Sequence, residues 1–237
     1  MSVPRGTNSR HTSSPEIGNR LIDGLPPSER AAFGKHIEAV ELQLEEQLME
    51  PRAPVKRVFF PTTAVCSIII GLASGQRAEM GTIGNEGFVG IPVVLRARAS
   101  EFAVVQIPGS AYAMSAATLA SLMGEHEALH RALLRYVGYA YHMAKQTTAC
   151  NAYHSVGQRL ARWLLTAHDR ARRDEFPLTQ ELLSHMVAAT RPRISEAAAV
   201  LRAEGIIDYH HGIMHIRDRS GLESKSCECY AATRYVA

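Results

Sequence analysis

The residues best suited to chemistry in this chain lie in the run Thr190-Arg191-Pro192-Arg193-Ile194-Ser195. Arg191 and Arg193 offer planar forks of donors that can bond bidentately to guanine, and Thr190 and Ser195 offer hydroxyls for bases or phosphate oxygens. Such a set is useful only if one rigid element presents it. The spacing supplies that element. Thr190 can cap a helix that begins Arg191-Pro192-Arg193, since proline is tolerated in a first turn where its missing N–H had no helical partner. Ile194, Ala197, Ala198 and Leu201 then repeat at i, i+3, i+4 and i+7, which makes one buried stripe. Gly205 ends the helix as a C′ glycine does.

A second helix is expected just upstream. Thr179 can cap it, Glu181 suits the positive end of its dipole, and Leu182, Leu183, Met186 and Val187 face a core. Ala188 and Ala189 leave only a short connection between the two helices, as a helix-turn-helix requires. Beyond Gly205, IIDY and IMHIRD flank His210-His211-Gly212 and read as a hairpin, the position of a wing. A small helical subdomain with two solvated arginines would show the same local features. The functional reading is that Thr179, Thr190, Arg191, Arg193, Ser195 and Glu196 meet double-stranded DNA, with the second helix in the major groove.

Other reactive residues form weaker patterns. The cysteines are Cys66, Cys150, Cys227 and Cys229. Cys227 and Cys229 make a C-x-C pair that could bind metal or oxidise, but residues 223–237 read as a mobile, reduced tail. His210, His211 and His215 suit solvation or phosphate contact at a wing tip. His11, His36 and His126 are lone histidines with no haem motif around them. No G-x-S-x-G, no H-E-x-x-H and no phosphate-binding glycine loop occurs; GTIGNEG has no Lys-Ser/Thr after it. No catalytic residue, metal ligand or cofactor is therefore assigned, and an enzyme is not expected.

Composition frames these elements. Of 237 residues, 46% are apolar and 21% charged, so wholesale disorder is excluded and two modest domains are affordable. The net charge of +3 permits nucleic-acid binding without demanding it, so the placement of the arginines has to carry the argument. No apolar leader and no run near a membrane-spanning length is present, so the cytoplasm is the expected compartment and no membrane partner is expected.

Along the chain, residues 1–19 read as a flexible arm. NRLIDGLPPSERAAFGKHIEAVELQLEEQLM should contain helix, with Ser28 as a possible cap. VKRVFFP, AVCSIIIGL, RAEMGTIG, GFVGIPVVL, EFAVVQIP and AYAMS are short apolar segments broken by Gly, Pro, Ser or Asn, which predicts the strands of a β-roll or small barrel. From Ser115 to Arg173 there is no proline, and the segment reads as helix. Within it Leu129, Leu133, Tyr136, Ala140, Met143 and Thr147 step by 4, 3, 4, 3, 4, the period of a coiled-coil seam. Such a stripe can pair with a second copy or pack on its own domain; dimerisation is the favoured reading. The resulting plan is α+β. It has a β-roll sensor over 20–125, a dimerisation helix over 126–150, a winged helix-turn-helix over 151–222 and a tail over 223–237.

This order of β-roll, long helix and winged helix-turn-helix resembles the Crp/Fnr family of regulators over about residues 20–222, most clearly in LTQELLSHMVAATRPRISEAAAVLRAEGII. The resemblance implies a homodimeric, allosteric bacterial transcription factor on a two-fold symmetric DNA site, with RNA polymerase a candidate further partner. Arg191 matches the family's guanine-reading arginine. Pro192 stands where glutamate is common, and Glu196 where a groove-facing arginine is common, so the half-site should differ. Those two departures also keep open a ligand-sensing or interaction module of the same fold with reduced or lost DNA binding.

In the sensor, the possible effector pocket falls at Gly90, Ile91, Arg98 and Ser100. Gly90 matches the family's turn glycine and Ser100 its phosphate-side serine. Ile91 replaces the ribose-binding glutamate and Ala99 the phosphate-binding arginine; Arg98, one residue away, would point elsewhere on a strand. Cyclic AMP in the usual pose is not expected, and the effector is unidentified. No cysteine precedes Cys66, so the cysteine cluster of the oxygen-sensing branch has no counterpart.

Overall fold

Short runs of Val, Ile and Phe separated by Gly, Pro and Asn give seven strands in the first half of the chain, as seen in a computed structural model that describes residues 16–178 and 180–234. They are β1 (Glu38–Leu42), β2 (Gln47–Met49), β3 (Arg57–Pro61), β4 (Val65–Gly71), β5 (Arg77–Ile83), β6 (Phe102–Ile107) and β7 (Gly109–Ser115). All pair antiparallel, in sheets of order β1-β7-β3 and β2-β6-β4-β5. The core between them includes Val58, Phe60, Phe88, Val105 and Ala113, all fully buried. Helices α1 (Arg20–Asp23) and α2 (Pro27–Gly34) close one side.

The helix expected within residues 19–49 is present as α1 and α2, while residues 38–42 and 47–49 form β1 and β2, because β7 and β6 respectively offer antiparallel partners. Two expectations for this half need correction. Ser28 does not cap α2; the N-cap is Pro26, without a side-chain bond. GFVGIPVVL is not a strand. At Gly90 (φ +135°) the chain turns into α3 (Ile91–Val94), and a Cβ at Gly90 would lie 2.5 Å from Val58 Cγ1.

The proline-free segment after Ser115 is three helices: α4 (Ala116–Glu125), α5 (Glu127–Tyr153) and α6 (Val156–Ala171). His126 separates the first two. Ser155 starts α6 with a reciprocal capping box to Gln158. Along α5, Leu129, Leu133, Tyr136 and Met143 are buried within this one chain. Phe88 and Tyr136 sit 5.3 Å apart, extending an aromatic series from Phe33 and Phe60. Assignment of Leu129, Leu133, Tyr136 and Met143 to a dimer seam is therefore corrected. A helix lying on a sheet needs an apolar stripe of nearly the same period, and the β-roll claims this one. Ala140 is half-buried at a cavity. The outward stripe of α5 instead carries Leu134, Gly138 and Tyr141.

The remaining elements are β8 (Glu175–Pro177), α7 (Gln180–Val187), α8 (Arg191–Ala203), β9 (Ile207–His210), β10 (Ile213–Ile216), α9 (Arg219–Lys225) and α10 (Cys229–Ala232). DEFP supplies an edge strand to a three-stranded sheet of order β8-β10-β9 rather than a simple break. Residues 223–234 are not a mobile tail. Leu222, Cys227, Cys229 and Tyr230 are buried. Tyr139 Oη donates to the Thr233 carbonyl at 2.9 Å, and Tyr230 Oη to Asp169 at 2.8 Å, which hold α10 on α5 and α6.

The two halves share a boundary. Val65, Ile69 and Ile107 of the β-roll join Leu160, Leu164 and Met186 in one apolar cluster. Two buried polar links cross it: Trp163 Nε1 donates to Glu79 at 2.8 Å, and Arg170 Nε to Glu86 at 2.8 Å. Burial pushes the Glu79 carboxyl up, against hydrogen bonds from Ser67, Thr82 and Trp163 and the nearby Arg162 charge, all of which lower it.

Candidate nucleic-acid interface and sensor cavity

Packing of α8 determines which of its residues face outward. Ile194 and Leu201 are buried, while Thr190, Arg191, Arg193, Ser195 and Glu196 are exposed around its first two turns. The structure thus brings five of the six expected DNA-facing residues together at one end of one helix. The sixth, Thr179, lies outside the described residues. Thr190 occupies the N-cap position, but its hydroxyl makes no capping bond, which corrects its expected role. A helix N-terminus with exposed hydroxyl and guanidinium side chains around it suits phosphate and base edges.

The connection from α7 is tight. Ala188 adopts φ +49°, and its carbonyl accepts from Arg159 at 3.5 Å. At the other end, Gly205 (φ +71°) donates to the Arg202 carbonyl and Ile206 to that of Leu201, the paired bonds of a Schellman stop. Arg159, Arg193 and Arg77 line one groove beside the start of α8. Burial depresses the Arg159 pKa, and the charges of Arg162 and Arg193 depress it further, although Cys150 opposes them. The groove is therefore a region of concentrated positive charge.

The wing follows as β9 and β10, with His211 (φ +50°) and Gly212 (φ +78°) at its tip. Asp208 faces His210 at 3.0 Å, Arg202 at 3.6 Å and Arg217 at 3.7 Å. Desolvation acts to raise its carboxyl pKa, but the Tyr209 N–H and these cations prevail and hold it below the usual range. His215 pairs with Glu175 at 2.6 Å. His210 and His215 are thus separately partnered by carboxylates rather than gathered as ligands.

The sensor residues are not brought together as expected. Gly90 and Ile91 line a cavity of about 320 Å³ between the β-roll and α5, with Met80, Ile83, Phe88 and Met143 among its walls. Arg98 and Ser100 lie outside it. Arg98 donates to the Arg52 carbonyl at 3.3 Å, and the Ser100 hydroxyl to Glu101 at 2.5 Å. Among the described residues no cationic one lines the cavity, and Glu101 is its one charged residue. The Tyr136 hydroxyl is buried with no hydrogen-bond partner among the described residues. A cyclic phosphate would find no countercharge here, whereas an apolar molecule would find matching walls. Sequence reasoning missed the α5 side of this cavity, because the same residues satisfied a dimer seam. It also missed that Cys150, His154, Cys227 and Cys229 gather where α5 meets α6.

Residues 158–225 match the family of Crp-like helix-turn-helix domains. The chain has the Crp/Fnr regulator fold. Among solved structures, FixK2 from Bradyrhizobium japonicum superposes with a TM-score of 0.67 at 16% identity, covering 81% of this chain and 98% of that one. A crp/fnr-family transcriptional regulator from Eubacterium rectale gives 0.68 at 12% identity, over 88% and 98%. The c-di-GMP responsive regulator CLP from Xanthomonas campestris gives 0.65 at 14% identity, over 81% and 99%. No curated protein matches the chain in sequence. The matched segment is a Crp-like helix-turn-helix domain, and no helix among the described residues is long and apolar enough to cross a membrane.

Proposed function

We propose that the chain regulates transcription as a homodimer, with the two α8 helices entering successive major grooves of a two-fold symmetric DNA site. The observation that carries this is the exposure of Arg191, Arg193 and Ser195 at the start of α8, above a buried Ile194 and Leu201, inside the family-matched domain. Arg191 and Arg193 supply base or phosphate contacts, Thr190 and Ser195 supply hydroxyls, and Glu196 shifts the preferred half-site by accepting rather than donating. The second copy is assigned to the outward stripe of α5. Leu134 and Tyr141 are exposed there, and Gly138 between them leaves room for close approach. The apolar cavity behind Gly90 and Ile91 is the assigned effector seat, for a molecule other than a cyclic nucleotide. The cytoplasm is the corresponding compartment, and RNA polymerase the corresponding further partner.

Selection of duplex DNA from a random pool by the purified protein tests this reading. The expected product is a palindromic motif whose half-site centres lie one helical turn apart, roughly 34 Å. Arg193→Glu should abolish recovery of that motif. Failure to enrich any motif, with and without apolar small molecules, would reject the regulator reading and leave an interaction module. Leu134→Glu with Tyr141→Glu should yield monomers by analytical ultracentrifugation; an unchanged dimer would remove the assigned face.

A further inference from the structure

We propose that Cys150, His154, Cys227 and Cys229 bind one tetrahedral divalent ion of the zinc class. Their four donor atoms lie within 4.8 Å of one another, three of the residues are buried, and the fourth is half-buried. Cys150 Sγ and Cys227 Sγ are 3.6 Å apart, and Cys229 Sγ and His154 Nδ1 are also 3.6 Å apart. Zinc–sulfur bonds of about 2.3 Å and zinc–nitrogen bonds of about 2.0–2.1 Å, set tetrahedrally, space sulfurs by about 3.8 Å and sulfur from nitrogen by about 3.6 Å. The observed separations already approach that geometry. Three sulfurs and one imidazole are also the donor set that selects zinc over magnesium or calcium.

Local structure explains how the donors converge. Cys150 and His154 are one turn apart at the end of α5, so they share a face. Cys227 and Cys229 flank the bend between α9 and α10 and approach from the other side. The surroundings are those of a ligand site. Glu228 accepts from His154 Nε2 at 3.2 Å, which turns Nδ1 toward the sulfurs, the usual outer support of a metal-bound imidazole. Gln146 Nε2 lies 3.1 Å from Cys229 Sγ, positioned to donate to a thiolate. Three thiolates and a neutral imidazole around a divalent ion leave one net negative charge. Arg159 and Arg162 lie close enough to Cys150 to offset it electrostatically.

Simple core packing would not call for an imidazole held by a carboxylate and aimed at three sulfurs. A Cys150–Cys227 disulfide would use two of the four donors and leave the other two without a role. Loading replaces up to three thiol protons, which leave to solvent, so no oxidant or reductant is involved. The ion would staple the C-terminal helices to the junction at which the sensor meets the DNA-binding domain.

The test uses the full chain, purified reduced and without chelator. Elemental analysis should return one zinc per protomer. After demetallation under reductant, stoichiometric Co(II) should produce the intense thiolate-to-cobalt absorption and the visible bands of a tetrahedral centre. Cys150→Ser and Cys227→Ser should each weaken or abolish them, whereas Cys66→Ser, in the β-roll core, should leave them unchanged. If the serine variants do not fold, the wild-type titration decides alone. Absence of thiolate–cobalt absorption in folded, fully reduced protein overturns the proposal. So does absorption that persists unchanged in a folded Cys227→Ser, Cys229→Ser double variant.

Discussion

The start of α8 and the middle of α5 solve opposite problems. At the start of α8, Arg191, Arg193, Ser195 and Glu196 project outward and leave the helix to pack through Ile194 and Leu201. Along α5, Tyr136 and Met143 turn inward and help to enclose an apolar cavity whose walls come from strands, a short helix and α5 together. One region presents charge outward, where a partner of opposite charge would meet it. The other lines a space with mostly apolar walls, suited to an apolar guest. The difference shows why a recognition helix can be read from a dozen consecutive residues while a sensor cavity cannot.

The largest expected effect concerns the boundary between these regions. Arg170→Met leaves Glu86 buried without its ion pair, which should cost about 3–5 kcal/mol of stability in urea unfolding. A loss below about 1 kcal/mol would mean that the two halves do not depend on this link. Next comes the cavity. An apolar ligand of matching size, present at one hundred times its Kd, should add about 2.7 kcal/mol and raise the Tm, while cyclic AMP should not. An equal shift with cyclic AMP would break the contrast between a charged interface and an apolar cavity.

At the interface itself, Arg193→Ala should weaken specific DNA binding by about 1–3 kcal/mol, read by fluorescence anisotropy at fixed salt. The Tm should not change, because the side chain is exposed. A Tm loss with unchanged DNA affinity would assign Arg193 to the fold instead.

The smallest effect should come from Glu79. Its carboxyl pKa is raised by burial, so across the interval between its ordinary and raised values the folded chain holds more protons than the unfolded one. Stability therefore falls as pH rises through that interval. Glu79→Gln keeps an acceptor for Trp163 and removes the slope. Urea midpoints of the variant should exceed those of the parent near neutral pH and converge with them toward the acid end of the interval; parallel curves would show that Glu79 does not titrate there.

Much of the helix-turn-helix was legible, for local reasons. The stripe of Ile194 and Leu201, the proline in the first turn and Gly205 at the stop all act within one helix, and each behaves as its residue type predicts. Thr190 is the local exception, an N-cap without a capping bond. The β-roll was legible as strands but not in detail. Residues 38–42 become a strand because β7 lies beside them and 47–49 because β6 does, and Gly90 stands at the start of α3 where Val58 leaves no room for a Cβ. The α5 stripe shows the limit most clearly, since its spacing satisfies a partner helix and a sheet alike, and only the position of the β-roll distinguishes them.

The sequence by itself determined a winged helix-turn-helix with two arginines and two hydroxyls at the start of its second helix, joined to a strand-rich domain without cyclic-nucleotide anchors. Those features rest on periodicity, capping and side-chain chemistry, which act over a few residues. Only the tertiary structure decided that α5 turns its apolar stripe inward, that Arg98 and Ser100 stay out of the cavity, and that Cys227 and Cys229 meet Cys150 and His154. Each of these joins residues distant in sequence, and burying apolar surface against a particular neighbour decides such placements, whereas a linear pattern leaves the choice of neighbour open.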